Sequence, residues 1–455
     1  MVIDGRSTDG LRAAAAGEVL EPGDAGYDEA RRTFNALIDR RPAVIVRSRS
    51  AADAIEAVRF ARAHDLPIAI RGGGHSVAGH SVADGAVVVD LSLMRDVIVD
   101  PVASIAHVAG GAQWLDVDGA AHAFGLGTPG GTFGDTGVGG LALGGGLGWL
   151  MGVAGLTCDN LVGAEVVTAN GEILEVDGER EPGLLWGLRG GGGNFGIVTR
   201  FDLRLHPVGE FQGGYLYYAP DDAAAGLRAF RDLMAHAPDE LVAMPVLTTR
   251  AEGAVTGLVL AFELCYAGSR EAVEAAIGPL RAVAPVIHEQ LGPLTYPDMQ
   301  ALNAQMPFGL RHYWKGHFLR ELPDSLIDRL VDHWRGQPGI GALLFEPIHG
   351  QAKRVADDSA AFGQRGAAFN VSALGIWEDP DLDATGIAWA RGAAELLEPH
   401  SHTGGGYVNY MGADEPIERV KSAFGPKRFA GLVELKRRYD PDNLFRFNHN
   451  IPPTA

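Results

Sequence analysis

Glycine is concentrated in this chain in a way that limits its possible folds. The 455 residues include 63 glycines, and four glycine clusters precede residue 200, at 71–74, 127–131, 137–148 and 190–193. Consecutive glycines let several backbone N–H groups point at one ligand and allow the backbone to approach it closely. A single cluster is explained as well by a turn or a strand crossing. Four in one region indicate loops that bind a pyrophosphate, for which no basic side chain is required.

The charge balance excludes several classes of partner. The chain has 57 acidic and 38 basic residues, a formal charge of -19, which repels phosphate backbones and anionic lipid surfaces. No stretch approaches the roughly 18 uninterrupted apolar residues of a membrane span. The first residues lack a basic segment followed by an apolar run. We therefore expect no nucleic-acid partner, no membrane partner and a cytoplasmic location, and the oligomeric state stays open.

The two cysteines, Cys158 and Cys265, are too few for a disulfide framework or a zinc site. Both lie in apolar, strand-like surroundings. We expect buried free thiols and predict no metal site.

Secondary-structure patterns place the glycine clusters at strand ends and helix starts. Periodicity over the first 130 residues predicts helices at 52–65 and 114–124 and strands at 67–70, 86–91 and 105–109. Asn170-Gly171 joins two β-rich runs between Glu165 and Asp177, which predicts a tight hairpin. Strict alternation from Ile197 to Leu205 predicts a half-buried strand.

The amino-acid composition changes after Pro207, where glycine becomes less frequent. Strand-like runs alternate with amphipathic helices, which is typical of a second α+β domain. The predicted strands are 254–266, 311–319, 342–348 and 368–377, and the predicted helices are 221–235, 269–282, 323–335, 382–397 and a long final helix at 414–438.

A plain dinucleotide-binding fold is the weaker alternative. It requires G-x-G-x-x-G between a strand and a helix, and an acidic residue about 20 positions later. Asp90 lies at a suitable distance from the first glycine cluster. However, the segment after Gly74 continues into a β-rich run, so no helix begins where the pyrophosphate would need one.

Motifs in the glycine-rich region resemble one known family. The stretch from Arg71 to Gly79 (RGGGHSVAG), followed by 88–91 (VVDL), resembles the FAD-attachment loop of the vanillyl-alcohol-oxidase-like (PCMH-type) flavoproteins. The similarity to the berberine-bridge-enzyme-like branch extends to 135–148, 155–171, 186–198 and 439–450. It covers about residues 40–207 and 405–452, in order.

The resemblance implies an α+β fold with two domains. Residues 1–207 would form a PCMH-type FAD-binding domain, and residues 208–404 a substrate domain with an antiparallel sheet covered by helices. Residues 405–455 would return to the FAD domain.

The resemblance also implies a covalent flavin. In the family, the histidine that matches His75 bonds to the 8α-methyl of FAD. A second tether, a cysteine in some members, has no counterpart, because Phe133 to Thr136 occupy its place and Cys158 belongs to another motif. A single bond is therefore expected, as in the bacterial hydroxynicotine oxidases. His80 matches no family position and is interpreted as structural.

Positions that match cofactor-binding residues of the family occur in all these motifs. Thr136 falls where the family controls access of dioxygen to the flavin, Phe195 in a segment that lines the cofactor, and Asn448 and Asn450 near its pyrimidine end, where amides stabilise negative charge. The predicted FAD-binding residues are Arg71, Gly72, Gly73, Gly74, His75, Ser76, Gly79, Thr136, Gly137, Gly140, Gly144, Gly145, Gly146, Gly193, Asn194, Gly196, Val198, Asn448 and Asn450.

The substrate step requires a base if the substrate is an alcohol, because the O–H proton must leave with the hydride. Tyr407 and Tyr410 resemble a family strand that supplies active-site tyrosines, and with Thr136 they are the catalytic candidates. In a regular strand their odd spacing would point them to opposite faces, so at most one is expected to be catalytic. Arg311, Tyr313, Lys315 and His317 share one face of a predicted strand, which either lines the pocket or faces solvent.

The function predicted from the resemblance is an FAD-dependent oxidase. A small organic substrate, namely an amine, an alcohol or sugar, or a natural product, would give hydride to flavin N5, and O2 would be reduced to H2O2. Two alternatives stay open: a flavin dehydrogenase with another electron acceptor, and a flavin-bearing binding protein with little turnover.

Overall fold

The computed structural model describes residues 5–250, 255–303, 308–337 and 339–454. The predicted segments 1–207, 208–404 and 405–455 and the predicted strand 254–266 each include residues outside these ranges. Helices and strands are interspersed along the chain. Short 3₁₀ turns occur at 157–160, 220–222, 380–382 and 398–400.

The strands are β1 (Glu18–Leu20), β2 (Val44–Arg47), β3 (Ile68–Arg71), β4 (Val87–Asp90), β5 (Val97–Asp100), β6 (Ile105–Ala109), β7 (Leu126–Gly127), β8 (Leu161–Val167), β9 (Ile173–Asp177), β10 (Ile197–Arg204), β11 (His206–Pro207), β12 (Phe211–Tyr218), β13 (Leu241–Arg250), β14 (Gly257–Ala267), β15 (His288–Leu294), β16 (Arg311–Leu319), β17 (Gly341–Pro347) and β18 (Phe369–Trp377).

The helices are α1 (Gly5–Ala14), α2 (Tyr27–Ala30), α3 (Ala51–Ala63), α4 (Trp114–His122), α5 (Val138–Leu143), α6 (Met151–Ala154), α7 (Pro182–Leu188), α8 (Ala223–Met234), α9 (Arg270–Ala276), α10 (Gly278–Arg281), α11 (Tyr296–Gln300), α12 (Asp324–Arg335), α13 (Gly350–Arg354), α14 (Asp383–Leu397), α15 (Ile417–Phe424) and α16 (Pro426–Tyr439).

Three larger sheets and one two-stranded sheet, in which β7 pairs with β11, organise the described part of the chain. A four-stranded sheet has the order β1-β2-β4-β3, with β4 parallel to both neighbours, and a five-stranded antiparallel sheet has the order β5-β6-β10-β8-β9. A seven-stranded antiparallel sheet follows in the order β15-β12-β14-β13-β17-β18-β16. Helices α8, α12 and α14 pack on one face of this third sheet, so the α+β class predicted from the sequence is confirmed.

Most of the predicted elements are present. The hairpin is formed by β8 and β9, and Gly171 in its turn has a φ of 72°. The alternating strand corresponds to β10, in which Ile197, Phe201 and Leu203 are buried. Strands β12, β13 and β15 were not predicted, because β12 contains two glycines and β13 is buried on both sides over its first half and so lacks alternation.

The long helix predicted at 414–438 is wrong. The structure has two helices there, α15 and α16, separated at Gly425. Gly425 has φ 79° and ψ 159°, a conformation that is open essentially to glycine alone, and Pro426 starts the next helix.

The final helices pack on the first region of the chain. Val420, Phe424 and Leu432 belong to the same core as Leu184 of α7 and Phe201 of β10. The segment after residue 405 therefore returns to the glycine-rich part of the molecule, whereas the exact domain boundaries stay a prediction. None of the described helices has both the length and the apolar character that crossing a membrane requires.

Candidate active site

A large cavity lies between the glycine-rich loops and the face of the seven-stranded sheet that is opposite to α8, α12 and α14. Its volume is about 300 Å³. The sheet contributes Trp314, Leu344 and Leu374, and the C-terminal segment contributes residues around 407–411 and 445–449. The cavity is thus closed by three parts of the chain that are distant in sequence.

Two glycine clusters meet directly at the cavity wall. A Cβ built on Gly73 would lie 2.5 Å from the Cα of Gly137, and one built on Gly137 would lie 2.5 Å from the backbone nitrogen of Gly73. Real Cβ atoms do not approach backbone this closely, so these loops touch only because both residues are glycine. Gly140 and Gly193 have free space where a Cβ would stand.

Most of the predicted cofactor-binding residues line this cavity. Those at the wall are Gly72, Gly73, Gly74, His75, Ser76, Thr136, Gly137, Gly140, Gly144, Gly193, Asn194, Gly196, Val198 and Asn448.

Five predicted residues are not part of this wall. Arg71 donates instead to the carbonyl oxygens of Ala30 and Arg32, at 2.5 and 2.7 Å. Gly79 occupies a turn with φ 72° beside Ile38, and Gly145 and Gly146 pack against Phe362 and Thr157. The Oδ1 atom of Asn450 is buried without a hydrogen-bond partner in the described part of the chain. These residues therefore contact other parts of the chain outside the cavity wall.

His75 follows the first glycine cluster. Its Nε2 atom is buried and has no hydrogen-bond partner among the described residues. Removal from water lowers the pKa of His75 to about 4, so the imidazole is neutral at physiological pH. A neutral imidazole with an unpaired nitrogen is a competent nucleophile.

His80, which was interpreted as structural, also lines the cavity. Its ring lies edge-on to that of His449, with 4.9 Å between centroids, and burial lowers the pKa of His80 to about 3. Phe195, expected beside the cofactor, is instead fully buried in the core under the cavity. Cys158 packs among apolar side chains, as predicted.

A buried lysine that the sequence did not single out connects two walls of the cavity. The Nζ atom of Lys436 donates to the carbonyl oxygens of Asn194 and Phe445, at 2.9 and 2.8 Å, and to the carboxylate of Asp440 at 2.7 Å. Lys436 and Asp440 are both fully buried. The amide of Asn448 donates in turn to the carbonyl of Gly193 at 3.1 Å, so the C-terminal segment is fixed to the fourth glycine cluster.

Tyr407 and Tyr410 lie in a turn rather than a strand, which corrects the expectation that they face opposite sides. The N–H of Tyr410 donates to the carbonyl of Tyr407 at 2.8 Å, and the two rings are 4.8 Å apart. Both line the cavity. The hydroxyl oxygen of Tyr407 accepts bonds from the N–H of Gly146 at 2.9 Å and from Asn409 at 2.9 Å, so Tyr407 supports the third glycine cluster.

Tyr410 has a different partner, Glu346 of β17. Its hydroxyl donates to Oε1 of Glu346 at 3.0 Å, and Asn370 donates to Oε2 of the same carboxyl at 2.6 Å. Glu346 is 1% exposed, and this burial raises its pKa to about 7. Nothing in its sequence context distinguished Glu346, because it lies in an ordinary strand of the second region.

Strand β16 presents the opposite face to the one considered from the sequence. Trp314 lines the cavity. On the other face, Arg311 pairs with Asp383, Lys315 with Glu415, Tyr313 bonds to Asp414, and His317 contacts Ser401. The predicted row of polar residues therefore binds neighbouring elements instead of lining the pocket.

Comparisons with known proteins agree with this architecture. Residues 42–177 match the FAD binding domain family, and residues 406–452 match the family of berberine and berberine-like proteins. An (R)-6-hydroxynicotine oxidase of Paenarthrobacter nicotinovorans is 29% identical over 453 residues, covering 96% of this chain and 97% of that protein. An FAD-linked oxidoreductase of Dictyostelium discoideum is 30% identical over 445 residues, covering 96% and 95%.

A solved structure gives the same result. The crystal structure of 6-hydroxy-D-nicotine oxidase from Arthrobacter nicotinovorans superposes with a TM-score of 0.86 at 28% identity, covering 96% of this chain and 98% of that one. Together with the glycine cradle, these similarities establish that the chain belongs to the berberine-bridge-enzyme-like FAD-linked oxidoreductases.

Proposed function

We propose that this protein is an oxidase that holds FAD through one covalent bond to His75. It oxidises a small organic alcohol and uses dioxygen as the electron acceptor. The observation that carries the proposal is the hydrogen bond between Tyr410, at the cavity wall, and the buried carboxyl of Glu346. This pair provides a route for the proton that an alcohol must lose.

The residues of the cavity fit FAD. The touching clusters around Gly73 and Gly137 give a backbone cradle suited to a pyrophosphate, and the open space at Gly140 and Gly193 leaves room for a ligand against the main chain. Nε2 of His75 and Oδ1 of Asn448 are buried polar atoms without a partner among the residues that the structure describes, and such atoms are costly unless a ligand supplies partners.

His75 supports a covalent bond, and Cys158 does not support a second one. The imidazole is neutral and its Nε2 has no partner in the described part of the chain, so its lone pair is available for bonding to the flavin. The thiol of Cys158 is fully buried, and burial raises its pKa well above the usual range, so a reactive thiolate does not form. A single attachment follows.

When bound, FAD supplies the acceptor for the two electrons that leave the substrate as hydride. The chain itself handles the proton. Tyr410 accepts the substrate hydroxyl proton and passes its own phenolic proton to Glu346, which is 3.0 Å away. With a pKa of about 7, Glu346 is ionised enough near neutral pH to receive it.

Thr136 supports dioxygen as the electron acceptor. It lines the cavity with a short side chain, which leaves space for a diatomic molecule. A dehydrogenase that passes electrons to a quinone is the competing function, and a flavin-bearing binding protein is a third. Peroxide yield and substrate-dependent bleaching of the flavin absorbance separate these possibilities.

An amine substrate is the second candidate, because the 29% identical relative is named as a hydroxynicotine oxidase. A neutral amine has no hydroxyl proton to lose, so its oxidation does not need Tyr410. Tyr410→Phe therefore distinguishes the two substrate classes: turnover falls at least a hundredfold, the scale of general base catalysis, for an alcohol and hardly changes for an amine.

The experiment that tests the proposal begins with the purified protein, precipitated with acid. Flavin retained in the pellet and found by mass spectrometry on the peptide containing His75 is the expected result, with His75→Ala and Cys158→Ser as matched variants. Alcohols and amines are then screened by peroxide release. Flavin found wholly in the supernatant would refute the covalent bond, and activity with a quinone but no peroxide would refute the oxidase.

A further inference from the structure

The ring of His75 is one layer of a stacked column between the glycine-rich loop and the seven-stranded sheet. Phe34 lies flat against His75, with 3.9 Å between ring centroids and 18° between ring planes. On its other face, Phe34 stacks on His312 of β16 at 4.1 Å and 23°. Phe34 is 0% exposed and does not itself line the cavity, so it influences the site through His75.

The backbone beside Phe34 is tied to both sides of this column. The N–H of Phe34 donates to the carbonyl of Gly74, immediately before His75, at 3.2 Å. Two residues later, the N–H of Ala36 donates to the carbonyl of Leu310, immediately before β16, at 2.8 Å. The ring of Phe34 is therefore inserted between two elements that its own backbone connects.

Asn35 strengthens the same connection. Its buried amide donates to the carbonyl oxygens of Val77 and His312, at 2.7 and 2.8 Å, and its Oδ1 accepts the N–H of His312 at 2.9 Å. All three bonds involve the loop that follows His75 or the strand that carries His312. The position of Phe34 is consequently set with little freedom.

The two histidines are held by stacking rather than by hydrogen bonds at their buried nitrogens. Nε2 of His75 and both ring nitrogens of His312 have no partner in the described ranges. A flat aromatic contact restricts rotation of a ring about its side-chain bonds without occupying its nitrogen lone pairs. Phe34 can thus orient His75 and leave Nε2 free.

We propose that Phe34 is a positioning residue for covalent attachment of the flavin: its ring fixes the plane of His75 so that Nε2 can bond to the cofactor in the cavity. This inference rests on the proposed function, because it assumes the bond at His75. It adds a residue outside the cavity wall that determines how fast this bond forms.

The attachment step shows why orientation matters. A bond forms between Nε2 of His75 and a methyl carbon of the flavin, while one C–H bond and the imidazole N–H bond are broken. Two protons and two electrons are released in total, and dioxygen accepts them as hydrogen peroxide. Since the nitrogen lone pair must be aligned with the carbon, a freely rotating ring spends little time in a reactive geometry.

The test measures the rate of attachment directly. Protein produced under riboflavin limitation is mixed with FAD, and flavin fluorescence is followed in acid-precipitated, denatured samples. Phe34→Leu keeps an apolar side chain but removes the flat face, and we expect attachment to slow about tenfold, the scale of one lost aromatic contact. Phe34→Tyr, which restores a flat ring, is expected to recover most of the rate.

The pH dependence of attachment is a readout that general destabilisation of the fold would not change, because it reports how far His75 itself is shielded from water. In the wild type, burial holds the pKa of His75 at about 4, so attachment continues below the ordinary histidine value of 6.5. Phe34→Leu leaves the ring less shielded, and its attachment rate is expected to fall near pH 6.5. His312→Leu removes the ring that supports Phe34 and is expected to slow attachment less than Phe34→Leu does.

The matched control is Phe60→Leu. Phe60 is also buried against a histidine, His64, at 4.2 Å between centroids, but in α3 and away from the cavity. Melting temperature and non-covalent FAD affinity are measured for every variant, so that lost attachment is not confused with lost folding. Attachment in Phe60→Leu is expected at the wild-type rate.

The outcomes separate this inference from the proposed function. Normal attachment in Phe34→Leu and His312→Leu would overturn the role of Phe34 while leaving the bond at His75 intact, and so would slowing fully explained by weaker FAD binding. Absence of acid-stable flavin in the wild type would instead refute the bond, and with it the proposed function.

Discussion

A carboxyl group as deeply buried as that of Glu346 disfavours its own ionisation. Its pKa is raised from 4.5 to about 7, so the folded state binds a proton that the unfolded state has already released over this interval. The stability that this group contributes is complete below pH 4.5 and is lost as the pH rises through 7. The protein keeps a residue that weakens its fold at neutral pH, as expected of a functional acid or base.

Glu346→Gln should therefore separate stability from activity. The variant is expected to melt at a higher temperature than the wild type at pH 8 and at a similar temperature at pH 4.5, because it has no charge to bury. With an alcohol substrate, the wild-type turnover number should rise with pH through about 7, whereas the variant should be slow and lack this dependence. Peroxide release and scanning calorimetry measure the two effects.

Glu263→Gln is the matched control. Glu263 is another inward-facing carboxyl of the same sheet with a pKa raised by burial, but its hydrogen-bond partner is Asn303 rather than a cavity-lining tyrosine. Because the charge of Glu263 helps to raise the pKa of Glu346, its replacement should keep the pH dependence of turnover and move its midpoint below that of the wild type. A wild-type profile in Glu346→Gln would show that the proton leaves by another route.

Single residues could be predicted only where a motif carries them. His75, Thr136 and Asn448 belong to stretches that resemble the family, and the structure brings all three to one cavity. Glu346 and Phe34 have no such context. They act through partners 64 and 41 residues away, Tyr410 and His75 respectively, and such pairings become visible only in three dimensions.

At the scale of loops and helices, the contact between Gly73 and Gly137 leaves no room for a side chain on either residue. Gly73→Ala would bring a methyl group to 2.5 Å from the Cα of Gly137. The two loops would have to separate, and the cradle would lose its shape. We expect this variant to retain little flavin after purification, measured as the ratio of flavin to protein absorbance.

Gly119→Ala is the control for this prediction. Gly119 lies within α4 and has free space where the methyl group would stand, and alanine favours a helix by about 1 kcal/mol over glycine. Flavin content should be normal and the melting temperature equal or higher. Full flavin retention in Gly73→Ala would mean that the two loops can move apart without losing the ligand.

Local patterns predicted elements well where one physical cause dominates. The Asn170-Gly171 turn and the alternation of β10 each follow from a single short-range preference, and both are confirmed. The break between α15 and α16 was missed because the apolar pattern continues across Gly425, whereas the helical backbone conformation ends there. The turn at 407–410 was mistaken for a strand, because its conformation is set by contacts with Glu346 and the glycine loop.

At the scale of the whole molecule, α4 of the glycine-rich region meets α11 beside the seven-stranded sheet. Asp118 of α4 and Gln300 of α11 are both buried at this contact. Burial raises the pKa of Asp118 well above its ordinary range. The contact therefore favours a neutral acid, and its contribution to stability decreases as the pH rises above the ordinary aspartate range.

Asp118→Asn should stabilise the protein at alkaline pH. An amide keeps the shape and hydrogen-bonding capacity of the neutral acid without a charge to bury, so the difference in melting temperature from the wild type should be larger at pH 8 than at pH 5. Thermal melts of the flavin-loaded protein measure it. A variant less stable than the wild type at both values would show that the carboxylate is ionised in the folded protein.

The bonds from the C-terminal segment also have a consequence for biosynthesis. Asn448 contacts Gly193 across 255 residues of chain, and at about 5–20 residues per second a ribosome needs roughly 10 to 50 seconds to make that stretch. During this interval His75 and the glycine loops have already been synthesised, but one wall of their cavity does not exist. We therefore expect flavin to bind only after the C-terminal segment has been synthesised, and a chain that stalls before this segment to remain colourless.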